Sequence, residues 1–197
     1  MKLWSKPEII NGNYVCLEPL SFSHLSDLQN VIEESQLDEL WFTNIPKPLN
    51  LANEIERRLN LLDSGLMFPF AVIEPLNKTA VGMTTFMNVD SQNKRLEIGS
   101  TWYAKTVQKT KLNTECKLLL LSYAFEALEC ICVEFRTHFF NFSSRKSIER
   151  LGAKLDGILR SNSIMDNGTI RDTAVYSIIK NEWPTVKTHL TFLLNND

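Results

Sequence analysis

Residues 14–20, YVCLEPL, alternate well enough to predict a first strand, with Tyr14 and Cys16 on one face and Val15 and Leu17 on the other. Ser21 or Ser23 then opens a helix carrying Leu25, Leu28, Val31 and Ile32, and Pro46 and Pro48 mark a loop. A second helix over residues 51–63 turns Ile55, Leu59 and Leu62 inward, and Gly65 fits as its C-terminal stop. Three strand-like runs follow at 67–74, 80–89 and 95–103, divided by turn signals at 75–78 and 90–93. Turns that short imply an antiparallel meander.

The stretch from 108 to 129 organises the rest. A polar turn, QKTKLNTECK, runs into LLLLSYAFEALE. Leu118, Leu121, Phe125 and Leu128 make one stripe at helical spacing, and Leu119, Leu120 and Ala124 widen it until the helix reads as buried. Asn113 and Thr114 are good N-cap residues, and Glu115 sits where a negative charge suits the helix dipole. A buried helix with a polar first turn aims several amides at one place, which suits an anion and fits a phosphate best. Residues 131–137, ICVEFRT, then read as a strand. Strand, helix, strand in this order predicts a parallel pair. A short helix at 143–151 ends near Gly152, and 156–165 pairs with 169–179 as a hairpin around Asn167-Gly168. A last helix covers 184–193, with Pro184 in its first turn. The order β α α β β β α β α β β α predicts one α/β (α+β) domain over residues 1–197, with a mixed central sheet and helices on both faces.

Composition adds mostly exclusions. The 197 residues carry a net charge of −2, so no basic field marks nucleic acid or an anionic membrane as a partner. Cys16, Cys116, Cys130 and Cys132 lack CxxC spacing and read as free thiols of a reducing compartment. With only His24, His138 and His189 beside them, no zinc site is expected. The greasiest run, 118–133, is interrupted by Glu126 and Glu129 and is too short for a bilayer, while MKLWSKPEII has no leader-like apolar core. A soluble, cytoplasmic protein is expected.

Four motifs, in this order and at these spacings, resemble the GNAT superfamily of acetyl-CoA-dependent N-acetyltransferases, in particular the RimJ and RimL type. They are Leu96-Glu97-Ile98-Gly99 with Trp102; the loop from Gln108 to Lys117; Asn141-Phe142-Ser143-Ser144 with Ile148-Glu149-Arg150-Leu151-Gly152; and Arg171-Asp172-Thr173. The resemblance covers nearly the whole chain. It implies acetyl-CoA as co-substrate and an amine, a protein amino terminus or a small amine, as acceptor. It also implies that the parallel strands splay apart to admit the pantetheine arm along Thr101, Trp102 and Tyr103. The pyrophosphate would then sit on Gln108, Lys109, Thr110, Lys111, Leu112, Asn113 and Thr114. The family loop has glycine where Lys111 stands and a small residue where Asn113 stands, so Lys111 either adds charge attraction or crowds the phosphate. A homodimer is left open.

Direct acetyl transfer needs a base for the ammonium, donors for the oxyanion and an acid for the departing thiolate. Glu97 is the candidate base, because apolar neighbours should raise its pKa. Its alternative is an outward strand residue or a paired carboxylate. Backbone amides from Ser100 to Tyr103 are the expected oxyanion donors. The family's usual tyrosine acid is replaced by Ile148. Ser144 is therefore the candidate donor to the sulfur and, with Asn141, a cofactor contact; the alternative for both is helix capping. Trp41, Phe42 and Thr43 fall in the region expected to cover the acceptor, and Arg171 and Asp172 either line it or form an exposed pair. The rival functions are an acyl-CoA-binding or sensing module that has lost turnover, and a structural or interaction protein that keeps the fold and binds no CoA.

Overall fold

The computed structural model describes Trp4 and residues 8–196. Its elements are β1 (Ile10–Asn11), β2 (Cys16–Pro19), α1 (Leu25–Ser35), α2 (Leu51–Asp63), β3 (Phe68–Glu74), β4 (Thr79–Asp90) and β5 (Arg95–Tyr103). There follow α3 (Lys111–Ser122), which ends in a π-helical turn (Tyr123–Ala127), then β6 (Cys132–His138), α4 (Phe142–Arg150), β7 (Lys154–Ile164), β8 (Ile170–Ile179) and α5 (Trp183–Asn196). Among the described residues the strands form one eight-stranded sheet in the order β1-β2-β3-β4-β5-β6-β8-β7. Every neighbouring pair is antiparallel except β5 and β6, which the α3 crossover makes parallel.

Both faces of the sheet centre are covered, which explains the uninterrupted apolar run of β3. Phe70 and Val72 face a cluster with Leu120 and Leu121 of α3 and Leu190 of α5. The intervening Ala71 and Ile73 face a second cluster with Leu28 and Ile32 of α1 and Ile55 of α2. The second cluster reaches no further along the sheet than Trp102 of β5. On that side, β5, β6, β7 and β8 line a groove of about 420 Å³ whose walls include Glu134, Arg136, Val175 and Ser177.

The element order matches expectation, with three local corrections. The two-residue strand β1 had no periodic signal, being shorter than one repeat of the pattern. The helix start is displaced: α3 begins at Lys111 with Thr110 at the N-cap, so Asn113 and Thr114 lie inside the first turn. Glu115 is not a solvated charge near a helix end. It is buried, and its carboxylate accepts the backbone N–H groups of Asn13, Tyr14 and Val15 at 2.9, 2.5 and 3.0 Å. That clamp fastens the β1–β2 turn to α3. It also requires Gly12, where a Cβ would lie 2.5 Å from Glu115 Oε2.

Candidate active site

The parallel ladder between β5 and β6 is three pairs long: Arg95 with Cys132, Leu96 with Val133, and Glu97 with Glu134. Beyond Glu97 the strands part. β5 continues to Tyr103 against β4, and β6 continues to His138 against β8. A bulge drives the separation. On β4, Thr85 opposes Gly99 but Met83 opposes Trp102, so Ser100 and Thr101 together face Thr84. Ser100 takes up the extra residue at φ +48°. A bulge bends its strand and stops pairing on the free side. The Ala104 N–H donates to Val81 O at 2.8 Å, so alternation turns the backbone groups of Thr101 and Tyr103 into the opening. Gln108 Nε2 donates to Tyr103 O at 3.0 Å, which ties the loop to this edge.

The loop delivers the start of α3 to the mouth of the opening. Thr110 is extended, but its hydroxyl donates to Val107 O at 2.7 Å, so no side chain caps the first-turn amides of α3. Those N–H groups, with the positive end of the helix dipole, suit an anion. The unusual backbone falls at Lys109, with φ +59°, and not at Lys111, whose backbone is helical. The conformational freedom of glycine is therefore not called upon at Lys111. Its ammonium lies 5.7 Å from the ring of Tyr14. Leu112 is buried in the core, and Thr114, also buried, accepts from Arg150 at 3.3 Å.

Glu97 occupies the last paired position, directly below the opening, and is 5% exposed. Burial pushes its pKa above the ordinary carboxylate value, against the opposing effects of Asn88, Arg136 and Arg171. Asn88 Nδ2 donates to Oε2 at 2.7 Å, and Arg136 Nε stands 3.6 Å away. Arg136 leans more closely on Glu134, at 2.9 Å, and Arg95 bonds the same carboxylate. Gly99 is needed beside Glu97, since a Cβ there would meet Glu97 Oε1 at 2.9 Å and Met87 Sδ at 2.7 Å.

The remaining expected residues are spread around this centre. Thr101 turns its hydroxyl away into a buried network with Thr84 and Lys117, each at 2.8 Å. Trp102 packs beneath α1 and α2, as a core residue would, and Tyr103 OH donates to the buried Cys116 at 3.3 Å. Asn141 caps α4, its Oδ1 accepting the Ser144 N–H at 3.0 Å. Ser144 is therefore a first-turn residue and not the cap. Ile148 is buried in the main core. Arg171 and Asp172 turn to different partners: Arg171 Nε donates to Thr173 at 3.0 Å, whereas Asp172 accepts from the Ser161 N–H.

Sequence reasoning passed over Asn88 and Arg136, and weighed His138 only as a metal ligand. Asn88 is aimed at Glu97 by its own φ of +49°, in a β4 irregularity that leaves no periodic trace. Arg136 and His138 follow Glu134 at strand spacing on the Glu97 side, a relation that needs the β5–β6 register to be visible. Trp41 and Phe42 reach the same region, with ring centroids 5.0 and 6.3 Å from that of His138.

Residues 15–154 match the model of the acetyltransferase (GNAT) domain. Over 125 residues the chain is 32% identical to a Bacillus subtilis (strain 168) protein named "Putative ribosomal N-acetyltransferase YdaF". That alignment takes in 64% of this chain and spans 63% of the relative's length. A GCN5-related N-acetyltransferase from Brucella melitensis superposes with a TM-score of 0.84 at 29% identity, covering 96% of this chain and 87% of its own. Mycobacterium smegmatis RimJ, solved with CoA-disulfide, shares the fold with a TM-score of 0.78 at 18% identity, covering 94% and 91% of the two chains. The chain belongs to the GNAT family of acetyltransferases, enzymes that use acetyl-CoA.

Proposed function

We propose that the protein is an acetyl-CoA-dependent N-acetyltransferase acting by direct transfer, with Glu97 as base and the amino terminus of a protein as acceptor. The reading rests on one observation: the three-pair ladder opens directly above Glu97 and faces the uncapped start of α3. The free amides of α3 suit the diphosphate of acetyl-CoA. The unpaired β5 edge at Thr101 and Tyr103 suits a pantetheine arm, which carries amides of its own. The name of the B. subtilis relative, with its words "ribosomal N-acetyltransferase", supports a macromolecular acceptor over a small amine.

The acceptor reaches Glu97 as an ammonium, and the carboxylate takes a proton so that the nitrogen lone pair can attack the thioester carbon. A C–N bond forms and the carbonyl oxygen becomes an oxyanion, for which β5 amides beside the Ser100 bulge are the donors. Collapse breaks the C–S bond, and the proton still carried by the attacking nitrogen passes to the departing thiolate, with the Ser144 hydroxyl as the proposed relay. Burial of Glu97 raises its proton affinity above that of an ordinary carboxylate, the direction a base needs.

The rival, an acyl-CoA-binding module without turnover, draws on Ile148, which is buried where the family's usual tyrosine acid would stand. Thiol release from acetyl-CoA in the presence of an amine panel separates the two. Turnover that collapses in Glu97→Gln while acetyl-CoA affinity holds supports the base; acetyl-CoA binding without thiol release supports the rival. We place the protein in the cytoplasm, in keeping with its four free thiols.

A further inference from the structure

We propose that His138 is a specificity-determining residue, whose Nε2–H donates to a carbonyl oxygen further along an extended acceptor. The proposal rests on the acceptor side of the opening being the Glu97 side. His138 is the last residue of β6 and is 2% exposed. Its Nδ1 accepts the Phe140 N–H at 3.1 Å, so the neutral ring carries its proton on Nε2. Among the described residues, His138 Nε2 is the one buried side-chain polar atom with no hydrogen-bond partner. Leaving such a donor unmade is costly, which marks it as a place where something else is to bind.

Its surroundings say what binds. Arg136 and His138 are two apart on β6 and so share a face, and Arg136 approaches Glu97. Arg171 acts electrostatically on both Glu97 and His138. His138 lies four residues beyond Glu134, the partner of Glu97, or about 13 Å of strand. An acceptor with its amine at Glu97 and an oxygen at His138 is therefore a short extended chain, longer than a single amino acid. Trp41, in edge-on contact with His138, and Phe140, at 5.8 Å, are half exposed and form an apolar collar around that oxygen. A ring face is only a weak acceptor for Nε2–H, so a carbonyl improves on it.

The test uses a pair of substitutions that divide the imidazole. In His138→Asn the side-chain amide overlays Nδ1, keeps the bond to Phe140 and loses the outer donor. In His138→Gln it overlays Nε2 and keeps that donor. Each protein is assayed for thiol release with alaninamide and with a tetrapeptide bearing a free amino terminus. The wild type should prefer the tetrapeptide. Asn should lower kcat/KM for the tetrapeptide about tenfold, through KM, and leave alaninamide unchanged, whereas Gln should stay near wild type. A purely structural role gives the reverse, with Asn near wild type and Gln impaired, and overturns the proposal. Equal use of both acceptors by the wild type, or use of neither, overturns it too. An acetyl-CoA thermal shift in the same samples shows whether the co-substrate reading stands apart from it.

Discussion

Lys117 gives the sharpest stability forecast. It sits in the middle of α3, buried, with its ammonium on Thr101 at 2.8 Å and Thr84 at 3.4 Å and no carboxylate in its hydrogen-bond set. Burial lowers its pKa from 10.5 to about 8. That difference corresponds to about 3 kcal/mol in favour of the neutral amine. The folded state thus binds this proton less readily than the unfolded state. The full penalty is present below pH 8 and fades as pH rises from 8 toward 10.5. Lys117→Met keeps the length and removes the charge, and Thr84 and Thr101 still bond each other. Offsetting about 1 kcal/mol for the lost hydrogen bonds leaves a gain of about 2 kcal/mol at pH 7. Urea unfolding of both proteins at pH 7 and pH 10 measures it. The variant should be the more stable at pH 7, and its advantage should shrink or reverse by pH 10. A variant less stable at pH 7, or an advantage independent of pH, refutes the reasoning.

Other outcomes follow from the same geometry. The acid limb of kcat/KM should lie above the ordinary carboxylate range, because only ionised Glu97 acts as base and its pKa is raised. Glu97→Gln should lower kcat by about 10²- to 10⁴-fold, read by thiol release across pH. Glu115→Ala strips the acceptor from three backbone N–H groups and should cost about 3 kcal/mol or more, read by denaturant unfolding. Lys111→Gly should not tighten acetyl-CoA binding in calorimetry, since the backbone there is already helical, and should cost up to about 1 kcal/mol in stability.

The architecture was legible because its cues are local and periodic: the alternation of β3, the stripe on α3, the Asn167-Gly168 turn and the short links of the meander. Glu97 was legible as a carboxylate among apolar strand neighbours. What the pattern could not carry is the non-periodic part. The Ser100 bulge that parts the strands is one inserted residue whose positive φ falls on a serine and not on the glycine before it. Asn113 and Thr114 both read as caps, yet α3 begins earlier, at Lys111, behind a Thr110 whose hydroxyl is engaged with Val107 and so leaves no capping signature. Glu115 looked like a helix-end charge because its partners lie about a hundred residues earlier in the chain. His138 and Arg136 joined Glu97 only through the register of two strands distant in sequence.

The central claim is that acetyl-CoA lies in the opening between β5 and β6 with its diphosphate on the start of α3. Amide hydrogen exchange with and without acetyl-CoA addresses it most directly. Exchange should slow at Thr101 and Tyr103 and in the first turn of α3, from Lys111 to Asn113, while α1 and the β7–β8 hairpin stay unchanged. Binding seen by calorimetry with no added protection at those amides would contradict the claim.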